Sequence, residues 1–141
     1  MTEEEWFDFI TTGTPQIVTV ARLSVELCAF LHCSSNRVQM GHDYALKGMH
    51  KHQLAPHHFR ALTWAIETGA AIQDHPDSLT FYWSDRIYGL FHTTIKTKLG
   101  HSELWVATFH KTTFAKFNAK LRKAKLIRGT HELTGGIFAA R

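Results

Sequence analysis

Eleven of the 141 residues are histidines. Six of them, His42, His50, His52, His57, His58 and His75, fall in one stretch, and His92 and His110 follow in segments that read as strands. Imidazole titrates near neutrality, so it can take or give a proton there without strong tuning. Lysines and threonines stand beside these rings, as in His50-Lys51-His52 and Thr108-Phe109-His110-Lys111-Thr112-Thr113. Such a set suits phosphodiester chemistry on RNA, whose 2′-hydroxyl is a built-in nucleophile. Cleavage by that route needs a base for the 2′ proton, cations or donors for the crowded phosphate oxygens, and an acid for the leaving 5′ oxygen. The chain offers His50, His52 and His110 as base or acid, Lys51 and Lys96 as cations, and Thr108, Thr112 and Thr113 as neutral donors. No metal and no cofactor is required.

Each of these residues has a plainer role open to it. His50 and His52 suit an exposed helix end, where a cation meets the helix dipole favourably. Lys96 suits a strand surface, and Thr112 or Thr113 a helix cap. His42, His57, His58, His75 and His101 read as surface or turn residues. A zinc site is poorly supplied: no cysteine pair has C-x-x-C spacing, and no H-E-x-x-H is present. There is no Gly-rich phosphate loop and no paired-carboxylate set. Two H-x-T segments, His92-Thr93-Thr94 and His110-Lys111-Thr112, match the pattern of two-histidine phosphoesterases. That family places its motifs in separate lobes, whereas these lie on adjacent strands of one expected hairpin.

The elements that must position these groups follow from periodicity and turn chemistry. Glu3 to Ile10 suits a short amphipathic helix. Thr14-Pro15 reads as a helix start, and the apolar residues from Ile17 to Cys33 fall at helical spacing. Arg37 to Met40 reads as a strand, and Tyr44 to His52 and His57 to Thr68 as two further helices, the latter ended by Gly69. Strands are expected at Leu79–Trp83, Ile87–Lys98 and Glu103–His110, the last two joined by a turn at Leu99-Gly100-His101-Ser102. A last helix, Phe114 to Ile127, carries Lys116, Lys120 and Lys123, and the tail from Thr130 shows no clear element. The order gives an α+β domain. N-terminal helices pack on a small antiparallel sheet of three to four strands, and a basic C-terminal helix closes it.

At 141 residues the chain fits one domain, with a helical extension over 1–36, a core over 37–128 and a tail over 129–141. The formal charge is +4, and seven Lys or Arg stand between Lys111 and Arg128 without an acid, which favours a polyanionic partner. Cys28 and Cys33 read as reduced thiols, since neighbouring helical positions close no good disulfide. The acidic start is the reverse of a signal peptide, and no apolar run reaches the roughly 18 residues of a membrane span. The expectation is a cytoplasmic protein with no membrane association.

The layout also resembles the nuclease superfamily that groups barnase, EndoU, colicin-type tRNases and RelE, especially its phage-encoded members. The likeness runs from about Val38 to Arg128: a histidine-bearing helix, then Ala65-Ile66-Glu67-Thr68-Gly69, then strands ending Leu104-Trp105-Val106-Ala107-Thr108-Phe109-His110, then a basic helix. It implies a metal-independent ribonuclease, toxin-like or phage-associated. The helix-end position falls on His50 or His52, the strand cation on Lys96, and the late-strand position on Thr108 and His110. Lys51 and Thr112 would assist at the phosphate, with Arg86, Lys98, Lys111, Lys116 and Lys120 along the substrate. The expected partners are RNA, tRNA included, and an acidic immunity or antitoxin protein. The rival expectation is a non-catalytic phage accessory or anti-defence protein that uses the same basic surface with Trp83, Trp105 or Tyr82.

Overall fold

The richest run of β-branched and aromatic residues, from Gly89 to Thr112, folds into a long hairpin at the centre of the sheet. In the computed structural model, which describes residues 1–130, this hairpin is β5 (Gly89–Lys98) and β6 (Glu103–Thr112). Around it stand α1 (Glu3–Thr12), β1 (Ile17–Arg22), α2 (Val25–Leu31), β2 (Arg37–Gly41) and α3 (His42–His52). A 3-10 turn (Pro56–Phe59), α4 (Arg60–Thr68), β3 (Ala70–His75) and β4 (Ser78–Asp85) follow α3, while α5 (Phe114–Lys123) and β7 (Lys125–Arg128) follow β6. The class is α+β, with one seven-stranded mixed sheet in the order β1-β2-β6-β5-β4-β3-β7. Among the described residues only the β2–β6 pairing is parallel. Among the described residues no helix is long and apolar enough to cross a membrane.

The sheet is therefore larger than the three to four antiparallel strands expected. The expected helix over Ile17–Cys33 is instead a strand and a short helix. Ile17-Val18-Thr19-Val20 is β-branched throughout, which favours the pleated conformation over the helix that its spacing also permits. Thr14–Pro15 lies in the bend before β1 and starts no helix; Ser24 caps α2 instead, its hydroxyl accepting from the Leu27 N–H. The 1–36 segment thus supplies the sheet's edge strand as well as helices. Ala70–His75 pairs between β4 and β7 as a strand absent from the expected set. The expected helix from Phe114 to Ile127 stops at Lys123, and Lys125–Arg128 joins β3 as a strand. Both cysteines are free, Cys28 buried and Cys33 half-buried just past α2. The expected tail lies outside the described residues except for Gly129 and Thr130.

One sheet face carries the main core, where Trp6, Phe9, Phe59, Leu62, Phe81, Phe91 and Phe109 meet. The other face has a smaller cluster in which Phe117 of α5 packs on Ala70, Ile72, Tyr82 and Leu90. Alternation along β3 separates the two, with Ala70 and Ile72 on one side and Ala71 on the other. Arg128 is drawn inward: its Nε donates to Gly69 O at 2.8 Å and its Nη2 to Ile66 O at 2.8 Å, which satisfies the last carbonyls of α4. Burial lowers its affinity for the proton, and its guanidinium is taken up by these backbone carbonyls.

Gly69 ends α4 for want of room rather than for a left-handed backbone, since its φ is −76°. A Cβ there would stand 2.5 Å from both Ala65 O and Tyr82 O, which are backbone atoms that cannot move aside cheaply. Gly69→Ala should lower the unfolding free energy by about 1–3 kcal/mol or more, read as an earlier midpoint in urea. A midpoint equal to that of the parent would show that α4 and β4 can separate at this crossing.

Candidate active site

Strand β2 pairs with β6 only through Val38↔Leu104 and Gln39↔Trp105, and then leaves the sheet at Gly41 as α3. The later half of β6 therefore faces a helix instead of a strand. Three contacts hold α3 there. His42 Nε2 donates to Ile10 O at the end of α1 (2.9 Å), Ala45 is buried in the core, and the Tyr44 hydroxyl donates to Ala107 O. Ala107 is the extra residue of a β-bulge, because the β5–β6 register passes from Thr94↔Thr108 to Ile95↔Val106. Burial pushes the Tyr44 phenol above its ordinary value, so it stays a donor.

Between α3 and this free stretch of β6 lies a cleft of about 220 Å³, lined by Tyr44, Lys47, Gly48, Lys51 and His52 from the helix and by Ala107, Thr108 and Phe109 from the strand. The helical contributors recur at three- and four-residue steps, one face of the helix. Beyond Ala107, side chains on β6 alternate again, so Thr108, His110 and Thr112 share the face opposite the main core. The β4–β5–β6 register sets Tyr82, His92 and His110 side by side across three strands.

The rings form a continuous row. His52 lies 5.0 Å from His110, centroid to centroid. His110 stacks on His92 at 4.5 Å with planes within 16°, and His92 meets the edge of Tyr82 at 5.1 Å. His110 Nδ1 is 2.9 Å from Lys111 O. A carbonyl only accepts, so Nδ1 carries the proton, and in the neutral ring Nε2 is the free basic nitrogen. The Thr108 hydroxyl accepts from the Thr94 N–H (3.1 Å) and stands 3.5 Å from His92 Nδ1.

Electrostatics sort the imidazoles. Partial burial, then His110 and then Lys51, hold His52 below the usual imidazole value, which favours its neutral form. His92 is pushed down to about 4 by burial, with His110 and Lys120 adding to the effect and Asp74 opposing it. Burial, reinforced by Asp74, raises Tyr82 to about 12. At neutral pH the row thus holds an uncharged His92 behind His110, with His52 on the α3 side. Such an arrangement can take a proton at one imidazole and deliver one from another to a substrate in the cleft, beside Lys47 and Lys51.

Of the residues singled out in sequence, His52, Lys51, Thr108 and His110 come together. Thr112 shares their face, although the cap of α5 is Thr113, whose hydroxyl accepts from the Lys116 N–H. His50 precedes His52 by two helical positions, points elsewhere and lines no part of the cleft. Lys96 shares the face of His92 but lies four residues along β5, about 13 Å away. Lys98 rests over the Trp105 ring at 5.1 Å. Lys111 projects to the opposite face, where its charge acts on His58. Lys120 is bound to Asp74, Nζ to Oδ2 at 2.6 Å. Arg86 is exposed in the β4–β5 turn, and Lys116 on the first turn of α5. The two H-x-T histidines stack face to face, one behind the other, so of this pair only His110 also meets a ring of α3. Tyr44 and Lys47 line the cleft without having been selected, and His92, selected only as half of the H-x-T pattern, stands behind His110. The signal for the first two was the 44/47/48/51/52 stripe, and for His92 the hairpin register opposite His110.

Among the described residues no group of three or more His, Cys, Asp or Glu side chains is placed to hold a metal ion. No family model, curated protein or solved structure matches the chain.

Because His92 folds with a depressed pKa of about 4, the unfolded chain binds more protons wherever the pH lies between that value and the ordinary 6.5. Its contribution to stability is fully present above pH 6.5 and is lost as the pH falls toward 4, by at most about 3 kcal/mol. His92→Gln should flatten that acid slope in urea unfolding, and the His92 ring should stay neutral at pH 5.5 by NMR. Titration of His92 near 6.5 would contradict this description.

Proposed function

We propose that this protein is a metal-independent endoribonuclease that cleaves RNA by 2′-OH transesterification. One observation carries the reading: His52 and His110, on different elements, face each other at 5.0 Å beside a cleft edged by Lys51 and Lys47. His52, kept toward its neutral form, takes the 2′-hydroxyl proton as the 2′ oxygen attacks phosphorus. The bond from phosphorus to the 5′ oxygen breaks, and His110 gives that oxygen its proton. The products are a 2′,3′-cyclic phosphate and a 5′-hydroxyl end. The lysines offset charge on the phosphate oxygens, with Thr108 and Thr112 on the same face as polar neighbours.

This is also the chemistry that the barnase-, EndoU-, colicin- and RelE-like resemblance implies. On this reading the chain acts in the cytoplasm of a bacterial or phage-infected cell. Its partners are RNA, tRNA included, and an acidic protein that restrains it. The exposed Lys47, Lys51 and Lys116 would make substrate affinity fall with salt.

The test is cleavage of total RNA in EDTA across a pH series. The parent protein should cut, with a bell-shaped profile, because His52 must be neutral while His110 is protonated. His52→Ala and His110→Ala should each lose about 10²–10⁴-fold in kcat, whereas His50→Ala should stay within about threefold of the parent. Salt-sensitive binding without cleavage would make the chain a nucleic-acid binder instead. Cleavage abolished by EDTA would overturn the metal-independent route.

A further inference from the structure

The His92 ring takes no part in the proton transfers just described, yet it is the most enclosed imidazole of the row. Groups from every neighbouring strand and from α5 surround it. His110 and Thr108 reach it from β6, Tyr82 from β4, Lys120 from α5 and Asp74 from β3. Lys120 and Asp74 are paired with each other, so their charges largely cancel at the ring. Tyr82 is itself clamped, its ring packed on Phe117 at 4.6 Å. The chain thus builds a packed backing of rings behind His110, while the exposed His52 meets that ring from α3.

Resting on the ribonuclease reading, we propose that His92 is a positioning residue: its flat ring, stacked on His110, is the platform that fixes the plane of that imidazole. Two constraints then determine the His110 imidazole. Stacking at 4.5 Å sets its plane, and the bond from Nδ1 to Lys111 O sets its rotation within that plane. Together they leave Nε2 as the nitrogen that faces substrate. A ring held by one hydrogen bond alone could swing about χ2 and exchange tautomers. Charge matters as well as shape. A cation at position 92 would stand in contact with a protonated His110 and oppose the form that must donate. This role also accounts for the paired H-x-T segments: the two histidines meet through the hairpin register as a working ring and its support.

The experiment uses His92→Phe, which keeps a flat uncharged ring, and His92→Ala, which removes it. Thermal unfolding confirms that each is folded. In the free protein, ¹⁵N shifts of His110 should report the Nδ1–H tautomer for the parent and for His92→Phe, and a mixture of tautomers for His92→Ala. In cleavage assays, His92→Phe should stay within about threefold of the parent, while His92→Ala should lose about 10–100-fold in kcat with KM little changed. Should His92→Ala keep both the His110 tautomer and kcat, the inference fails. Should the parent not cleave RNA at all, the tautomer measurement still decides the positioning role by itself. If His92→Ala does not fold, His92→Lys serves in its place. It should disturb the His110 tautomer and kcat, and an unchanged His110 in that variant also overturns the inference.

Discussion

The register of the β5–β6 hairpin is the constraint on which the rest depends. It places His92 opposite His110, and Thr94 opposite Thr108, on the sheet face away from the main core. Side chains alternate along a strand, so a slip of one residue would send His110 into the core and bring Phe109 out. Burial forbids that exchange. Phe109 stacks on Phe91 at 5.7 Å and meets Phe59 at 5.3 Å inside the principal cluster. The core therefore locks the chemistry-bearing face as a by-product of burying its own rings. The bulge at Ala107 is the one break in this ladder, and it turns a carbonyl toward α3.

That carbonyl links the sheet to the second half of the site. Because β2 pairs with β6 over only two residues, α3 lies along the free flank of β6, and Tyr44 fills the hydrogen-bonding role that a strand would have had. The consequence is functional asymmetry within one short helix. Tyr44, Lys47, Gly48, Lys51 and His52 face the cleft, while His50 and Asp43 face away. Past His52 the left-handed Gln53 turns the chain back, and Leu54 is buried in the core, which anchors the helix end beside His110.

Much of this was legible in the residues, and the losses have physical causes. The hairpin from Gly89 to Thr112 announces itself through β-branched alternation, and α3 through its apolar spacing and basic last turn. Ile17–Arg22 satisfies helix and strand spacing alike, and a short apolar run cannot resolve the two without knowledge of its neighbours. Ala70–His75 lacks strand character because it opens on two alanines, buried one on each face, and ends on three polar residues. Only pairing with β4 and β7 makes it a strand. Lys125–Arg128 continues a helical pattern, and long-range pairing with β3 overrides it. In the site, His50 and His52 are chemically alike, and choosing between them requires the orientation in which α3 docks. His92 was visible as half of a repeated motif, but its contact with His110 depends on register, and Lys120 looked free until Asp74 was brought to it.

The central claim is that His52 and His110 act on one phosphate as a single unit. A double-mutant cycle on kcat/KM for RNA cleavage, using His52→Ala, His110→Ala and the combined variant, tests it most directly. Groups that serve one transition state are strongly non-additive, so the double variant should fall within about threefold of the poorer single one. Losses that multiply, as for independent sites, would contradict the account.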